Sequence, residues 1–155
     1  MSEKARGGLF NALGDIEGLT VLDTFAGTGA LGFEALSRGA ASAIAIDTER
    51  HAAETIERNA SSLGVNKTIK VIRANASGWS DNNPDAAFDL VLLDPPYDDI
   101  KINLLQKLTK HVRTDSGLLV LSWPGHDETP LLDGLEEVKN QNYGDVQLVF
   151  YRKVS

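Results

Sequence analysis

Asp94-Pro95-Pro96-Tyr97 sets a carboxylate, two residues that offer carbonyls but no N–H, and an aromatic ring in four consecutive positions. That set suits the handling of an amino group attached to an aromatic ring. Such a nitrogen is a poor nucleophile because its lone pair is delocalised into the ring. An acidic side chain and a proline-fixed carbonyl can accept its two N–H bonds and turn the lone pair toward an electrophile for in-line displacement. Consecutive prolines restrict φ and keep the loop rigid, and Tyr97 offers a face on which a flat base can stack. Read alone, the segment is also a Pro-Pro turn that ends a strand, with Asp94 capping and Tyr97 at the surface.

Its company points to the chemical reading. Val21 to Gly32 reads as a strand, a glycine turn and a helix start, with Gly27, Gly29 and Gly32 in the G-x-G-x-x-G spacing. Glycine belongs where a turn needs positive φ or where a ligand must approach the backbone, although helix packing alone can also demand it. The acid before the loop selects the ligand. A dinucleotide pyrophosphate would sit on the helix N-terminus and be repelled by Asp23 at the strand end. S-adenosylmethionine carries a sulfonium and an ammonium group and no phosphate, so the acid attracts it. Asp47 ends the second predicted strand 18 residues after Gly29, where a carboxylate can accept both ribose hydroxyls; the same placement would serve NAD, and an N-cap before Glu49 is the structural alternative. Asn75 is placed to meet an adenine edge, with Ala76 supplying a backbone donor, and equally to form a turn. Phe25, Ala26, Thr48 and Asp94 complete the expected cofactor set.

The elements that must position these residues follow from hydrophobic periodicity. Five buried strands are expected, at Leu19 to Asp23, Ala43 to Asp47, Thr68 to Arg73, Phe88 to Asp94 and Leu118 to Ser122. Helices are expected near Ala30 to Ser37, Glu49 to Leu63 and Ile100 to Val112, so strand and helix alternate as a parallel, doubly wound α/β sheet requires. Leu135 to Gln141 and Val146 to Arg152 flank the turn-prone Asn142-Tyr143-Gly144-Asp145 and predict a C-terminal antiparallel hairpin. Glu3 to Leu13 predicts a short amphipathic helix, with Leu9, Phe10 and Leu13 on one face, packed beside the first strand. Asp81-Asn82-Asn83-Pro84-Asp85 reads as a surface loop. One domain over 1–155 is expected: a helical lead-in (1–17), alternating strands and helices (18–132) and the hairpin (133–155).

With 155 residues, of which 42% are hydrophobic, the chain can build one core. It has no cysteine, which excludes disulfides, thiolate metal sites and a cysteine nucleophile. Neither a signal peptide nor a membrane span is legible, so a soluble, cytoplasmic monomer without a metal is expected. Fifteen basic against 22 acidic residues give a net charge of −7, which argues against strong unaided binding to a phosphate backbone.

Two resemblances sharpen this reading. A parallel sheet closed by an antiparallel hairpin is similar to the class I methyltransferase fold, a seven-stranded Rossmann-like sheet with helices on both faces. Asp94-Pro95-Pro96-Tyr97 resembles the Asp/Asn-Pro-Pro-Tyr/Phe mark of amino-group methyltransferases. More closely, Asp23 to Ala40, Arg6 to Leu13 and Asn75-Ala76 resemble the bacterial 16S rRNA guanine-N2 methyltransferase family over nearly the whole chain. The resemblance implies a flipped guanine gripped by Asp94, Pro95 and Tyr97, with ribosomal RNA or an assembling small subunit as partner. Against that family's pattern, the further basic N-terminal segment is expected to be missing, since the chain opens at Ser2-Glu3-Lys4-Ala5-Arg6. Asp98-Asp99 also puts negative charge beside the proposed pocket.

Rival readings are methylation of adenine N6 or of a protein glutamine amide, and a cofactor-binding module without turnover. His51, His111 and His126 have no metal-ligand spacing and read as solvated surface. Trp79 and Trp123 read as packing, and Arg38, Arg152 and Lys153 as scattered surface charge.

Overall fold

The computed structural model describes residues 1–154. Seven strands form one sheet in the order β3-β2-β1-β4-β5-β7-β6. The strands β1 (Thr20–Asp23), β2 (Ser42–Asp47), β3 (Ile69–Arg73), β4 (Leu90–Leu93) and β5 (Leu118–Pro124) run parallel, and β6 (Leu135–Tyr143) and β7 (Val146–Lys153) close the sheet antiparallel. This is the expected fold class. The chain leaves β1 toward β2 and β3, then returns to β4 on the other side of β1. That reversal opens a crevice at the carboxyl ends of β1 and β4, where sheets of this type hold ligands.

Each face of the sheet carries its own core. On one side α1 (Glu3–Leu13), α2 (Ala30–Ser37) and α3 (Arg50–Leu63) bury Leu9, Phe10, Leu31 and Ile56 against Val21, Leu92 and Phe150. On the other, α4 (Ala76–Asn82) and α5 (Ile102–Leu108) bury Trp79, Leu105 and Leu108 against Leu22, Val91 and Leu121. Caps set the helix ends. Ser2 Oγ accepts the Ala5 N–H at 3.1 Å to open α1, and α3 stops at Gly64 in the left-handed region with φ 72°.

Several boundaries differ from the sequence expectation, each for a local reason. α4 was not foreseen: Ala-Ser-Gly-Trp-Ser-Asp-Asn is poor in helix formers, and the helix takes in Asp81 and Asn82 of the expected surface loop. It is held by the Asn75 cap and by Trp79, which packs on Phe88 and His111. β4 is shorter than Phe88 to Asp94. Phe88 makes only an isolated bridge to Val112, and the Asp89 carboxylate turns to the Thr20 N–H (2.9 Å) and to Arg113 (2.8 Å). The helix expected at Ile100 to Val112 shrinks to α5 plus a 3-10 turn at Thr109–His111. The hairpin turn tightens to Gly144-Asp145, with Tyr143 paired to Val146.

α1 packs chiefly against β7 instead of the first strand. Gly8 leaves room for the end of β6, since a Cβ there would meet the Tyr143 hydroxyl. His111 corrects the surface reading of the histidines. It is fully buried, with Nδ1 2.7 Å from Ala86 O and Nε2 2.8 Å from Ser80 Oγ. The Ala86 carbonyl can only accept, so Nδ1 carries the proton and Ser80 donates to Nε2. Burial, more than any other influence, holds the His111 pKa below its ordinary value. No helix among the described residues is long and apolar enough to cross a membrane.

Candidate active site

The loop after β1 is the first wall of the crevice. Gly27 (φ 55°) and Gly29 (φ 83°) both adopt the left-handed conformation that glycine tolerates best. Their uses differ. A Cβ on Gly29 would press on Phe33 and Ile56, so that glycine serves helix packing, whereas nothing stands beside Gly27. β2 contributes Asp47, whose Oδ2 accepts the Gly27 N–H at 2.8 Å and whose Oδ1 accepts the Glu49 N–H at 2.9 Å. The carboxylate thus ties the glycine loop to the start of α3, and each oxygen keeps a lone pair for a further donor.

At the end of β3, Asn75 caps α4 by accepting the Gly78 N–H on Oδ1 at 2.6 Å. The turn role leaves Nδ2 without a hydrogen-bond partner among the described residues, and Asn75 and Ala76 both line the crevice. Beyond β4, Asp94, Pro95 and Pro96 form the opposite wall. The whole cleft is about 1460 Å³, ample for a nucleoside-sized ligand.

Of the residues singled out in the sequence, Phe25, Gly27, Asp47, Thr48, Asn75, Ala76, Asp94, Pro95 and Pro96 line this one cleft. Ala26 is buried and Gly29 opens α2, so both shape the loop without lining the cleft. Asp23 is fully buried and does not reach the cleft wall either. Among the described residues neither of its carboxylate oxygens makes a hydrogen bond of good geometry, the Phe25 amide being only a weak neighbour, nor does the hydroxyl of Thr24 beside it. Burial above all, then Asp94 and more weakly Asp47, pushes the Asp23 pKa from 3.8 up to about 7, offset in part by the Phe25 backbone amide.

Tyr97 lies on the far side of the Asp94–Pro96 wall. It lines a second, smaller hollow of about 270 Å³ together with Asp94, Pro95, Ser122, Val146 and Met1. Its hydroxyl is 2.6 Å from Ser122 Oγ. Desolvation outweighs that bond and holds the phenol pKa above its ordinary value, so Tyr97 stays neutral near pH 7. The Met1 amino group sits 3.3 Å from Asp94 Oδ2.

Sequence reasoning missed Ser122, Ser77 and Lys107. Ser122 interrupts an apolar strand and was thus visible in principle; Ser77 and Lys107, joined at 2.9 Å across the cleft wall, depend on the unforeseen α4. No cluster of three or more histidine or acidic side chains able to hold a metal occurs among the described residues. Trp79 and Trp123 are buried, the latter donating its indole N–H to Glu128 O at 2.9 Å.

The residues present fit a cationic cofactor. Two orphaned buried polar groups stand at the end of β1, acids flank the glycine loop on both sides, and the free space beside Gly27 admits a ligand against the backbone. A sheet of this order with this site defines a class I, S-adenosylmethionine-dependent methyltransferase. The chain belongs to the family described as Conserved hypothetical protein 95, whose model matches residues 1–152.

Several of its relatives carry rRNA methyltransferase names. The Bacillus subtilis (strain 168) protein YlbH, named provisionally as an rRNA methyltransferase, is 30% identical over 98% of this chain and 86% of its own length. The Ribosomal RNA small subunit methyltransferase D of Escherichia coli (strain K12) is 34% identical over 88% of this chain and 67% of its own. The solved structure of Escherichia coli yhhF, described provisionally as a methyltransferase, superimposes with a TM-score of 0.85 at 26% identity, covering 99% of this chain and 88% of that one.

Proposed function

We propose that this protein transfers a methyl group from S-adenosylmethionine to an exocyclic amino nitrogen of a nucleobase, guanine N2 of 16S rRNA in the small ribosomal subunit. The observation that carries this reading is that Asp94 and Pro95 line both hollows. A group gripped by them from the smaller hollow faces whatever occupies the larger one.

The larger cleft is the cofactor's. Asp47 takes the ribose hydroxyls on the lone pairs left by Gly27 and Glu49, with Thr48 beside it. The free Nδ2 of Asn75 and the Ala76 backbone meet the adenine. The Gly27 backbone lies against the amino-acid portion, Phe25 lines that end, Ala26 and Gly29 hold the turn, and Asp23 supplies negative charge from beneath. S-adenosylmethionine, when bound, supplies an electrophilic methyl on its sulfonium.

The smaller hollow is the acceptor's. Tyr97 stacks on the base, while the Asp94 carboxylate and a proline carbonyl accept its amino N–H bonds and aim the lone pair past the Asp94 edge of the wall into the larger cleft. Pro95 and Pro96 hold that wall rigid. The surplus proton leaves to water through the open mouth of the hollow.

Transfer of labelled methyl to unmodified 16S rRNA, naked or partly assembled with small-subunit proteins, tests the reading, and mass mapping of the product locates the base. Asp94→Ala is expected to lower transfer by a factor of at least about 100 while calorimetry still detects cofactor binding. Binding without transfer to any acceptor overturns the enzyme reading, and methyl on adenine overturns the choice of guanine.

A further inference from the structure

Ser122 stands where the strand pattern calls for an apolar side chain. β5 sends Leu118 and Val120 to one core and Leu119, Leu121 and Trp123 to the other. Ser122 continues the first row, opposite Leu148 of β7, and is only 1% exposed. A hydroxyl buried among apolar neighbours is unfavourable unless hydrogen-bonded. This one is bonded outward, to the Tyr97 hydroxyl.

The two ends of that bond are unequal. Ser122 belongs to a strand paired on both sides, and because Leu93 pairs with Leu121, it comes level with Asp94. Tyr97 is 40% exposed, on a three-residue 3-10 turn that buries none of its side chains. Among the described residues, its hydroxyl bonds only to Ser122. Packing therefore gives the ring little restraint, and the hydroxyl pair supplies a fixed point on the sheet.

We propose that Ser122 is a positioning residue for the methyl acceptor. It holds the Tyr97 ring, and through it a stacked base, at a set place beside Asp94. This rests on the smaller hollow being the acceptor site. Lost orientation acts on turnover and leaves cofactor binding alone, because Ser122 does not line the larger cleft.

Steady-state transfer to unmodified 16S rRNA assembled with small-subunit proteins tests this, together with NMR measurement of the Tyr97 χ1 population. Ser122→Ala is expected to lower kcat about fivefold to tenfold with the KM for S-adenosylmethionine unchanged. Tyr97→Phe should lower it equally, the double variant no further, and Ser122→Thr should recover most of the loss. Tyr97 should occupy one rotamer in the parent protein and several in Ser122→Ala. Wild-type turnover in Ser122→Ala, additive losses in the double variant, or an unchanged single rotamer overturns the inference. Should the parent protein transfer no methyl at all, the proposed function fails, and the rotamer measurement still decides whether Ser122 fixes Tyr97.

Discussion

Folding takes the Asp23 carboxyl out of water with neither oxygen well hydrogen-bonded, and its pKa rises from 3.8 to about 7. Between those values the folded chain holds a proton that the unfolded chain has released. Stability therefore falls as pH rises through that window, and the loss is complete above the upper value. A rise of that size corresponds to a cost on the order of 4 kcal/mol for ionised Asp23. Urea unfolding of Asp23→Asn beside the parent should show the variant's advantage growing by about 2 to 3 kcal/mol from about pH 5 to about pH 8. A constant gap would mean that the carboxyl is already ionised at the lower pH. Ligand binding should show the opposite balance. A cationic cofactor favours the ionised acid, so uptake near neutrality should release protons, read by calorimetry in buffers of differing ionisation enthalpy, and Asp23→Asn should abolish that release.

At the scale of elements, α4 is the least self-sufficient piece near the site and the one most dependent on its neighbours. Its cap is Asn75, and its buried face leans on the Ser80–His111 bond. Asn75→Ala should cost about 1 kcal/mol of stability in chemical denaturation and weaken cofactor binding as well, because the same side chain faces the cleft. Folding lowers the His111 pKa from 6.5, so its contribution is present above that value and is lost as pH falls below it. His111→Gln should therefore lose less stability on acidification from neutrality than the parent, a difference that unfolding midpoints across pH will register.

This helix also marks the boundary of what was legible in the sequence. Strands β1 to β5 and the hairpin announce themselves because buried runs such as Leu90-Val91-Leu92-Leu93 allow few other readings, and that run places Asp94 to Pro96 at the end of β4, where the cleft wall stands. α4 has no periodicity to read, since Trp79 is its one large apolar residue. The burial of His111 was invisible for the same reason: its partners Ser80 and Ala86 belong to, or follow, that helix. The second hollow required knowing that Ser122 comes level with Asp94, a matter of register between β4 and β5.

For the molecule as a whole, charge limits how RNA can be held. With a net of −7, the proposed recognition of rRNA would rest on the gripped base and on the shape of the particle more than on phosphates. Binding to naked 16S rRNA should weaken only gently with salt, with a log–log slope shallower than about −2. A steep slope in filter-binding assays would mean that a basic track outweighs the acidic surplus.

The sheet reverses between β1 and β4, and the one partition there is shared by two chambers through Asp94 and Pro95. A substitution at Asp94 or Pro95 therefore reaches both chambers at once. On the proposed reading, a lineage drifting toward a new acceptor by changing either of them would disturb its own donor affinity with the same mutation, so changes of target should arise first at Tyr97 and Ser122, which line the smaller chamber alone.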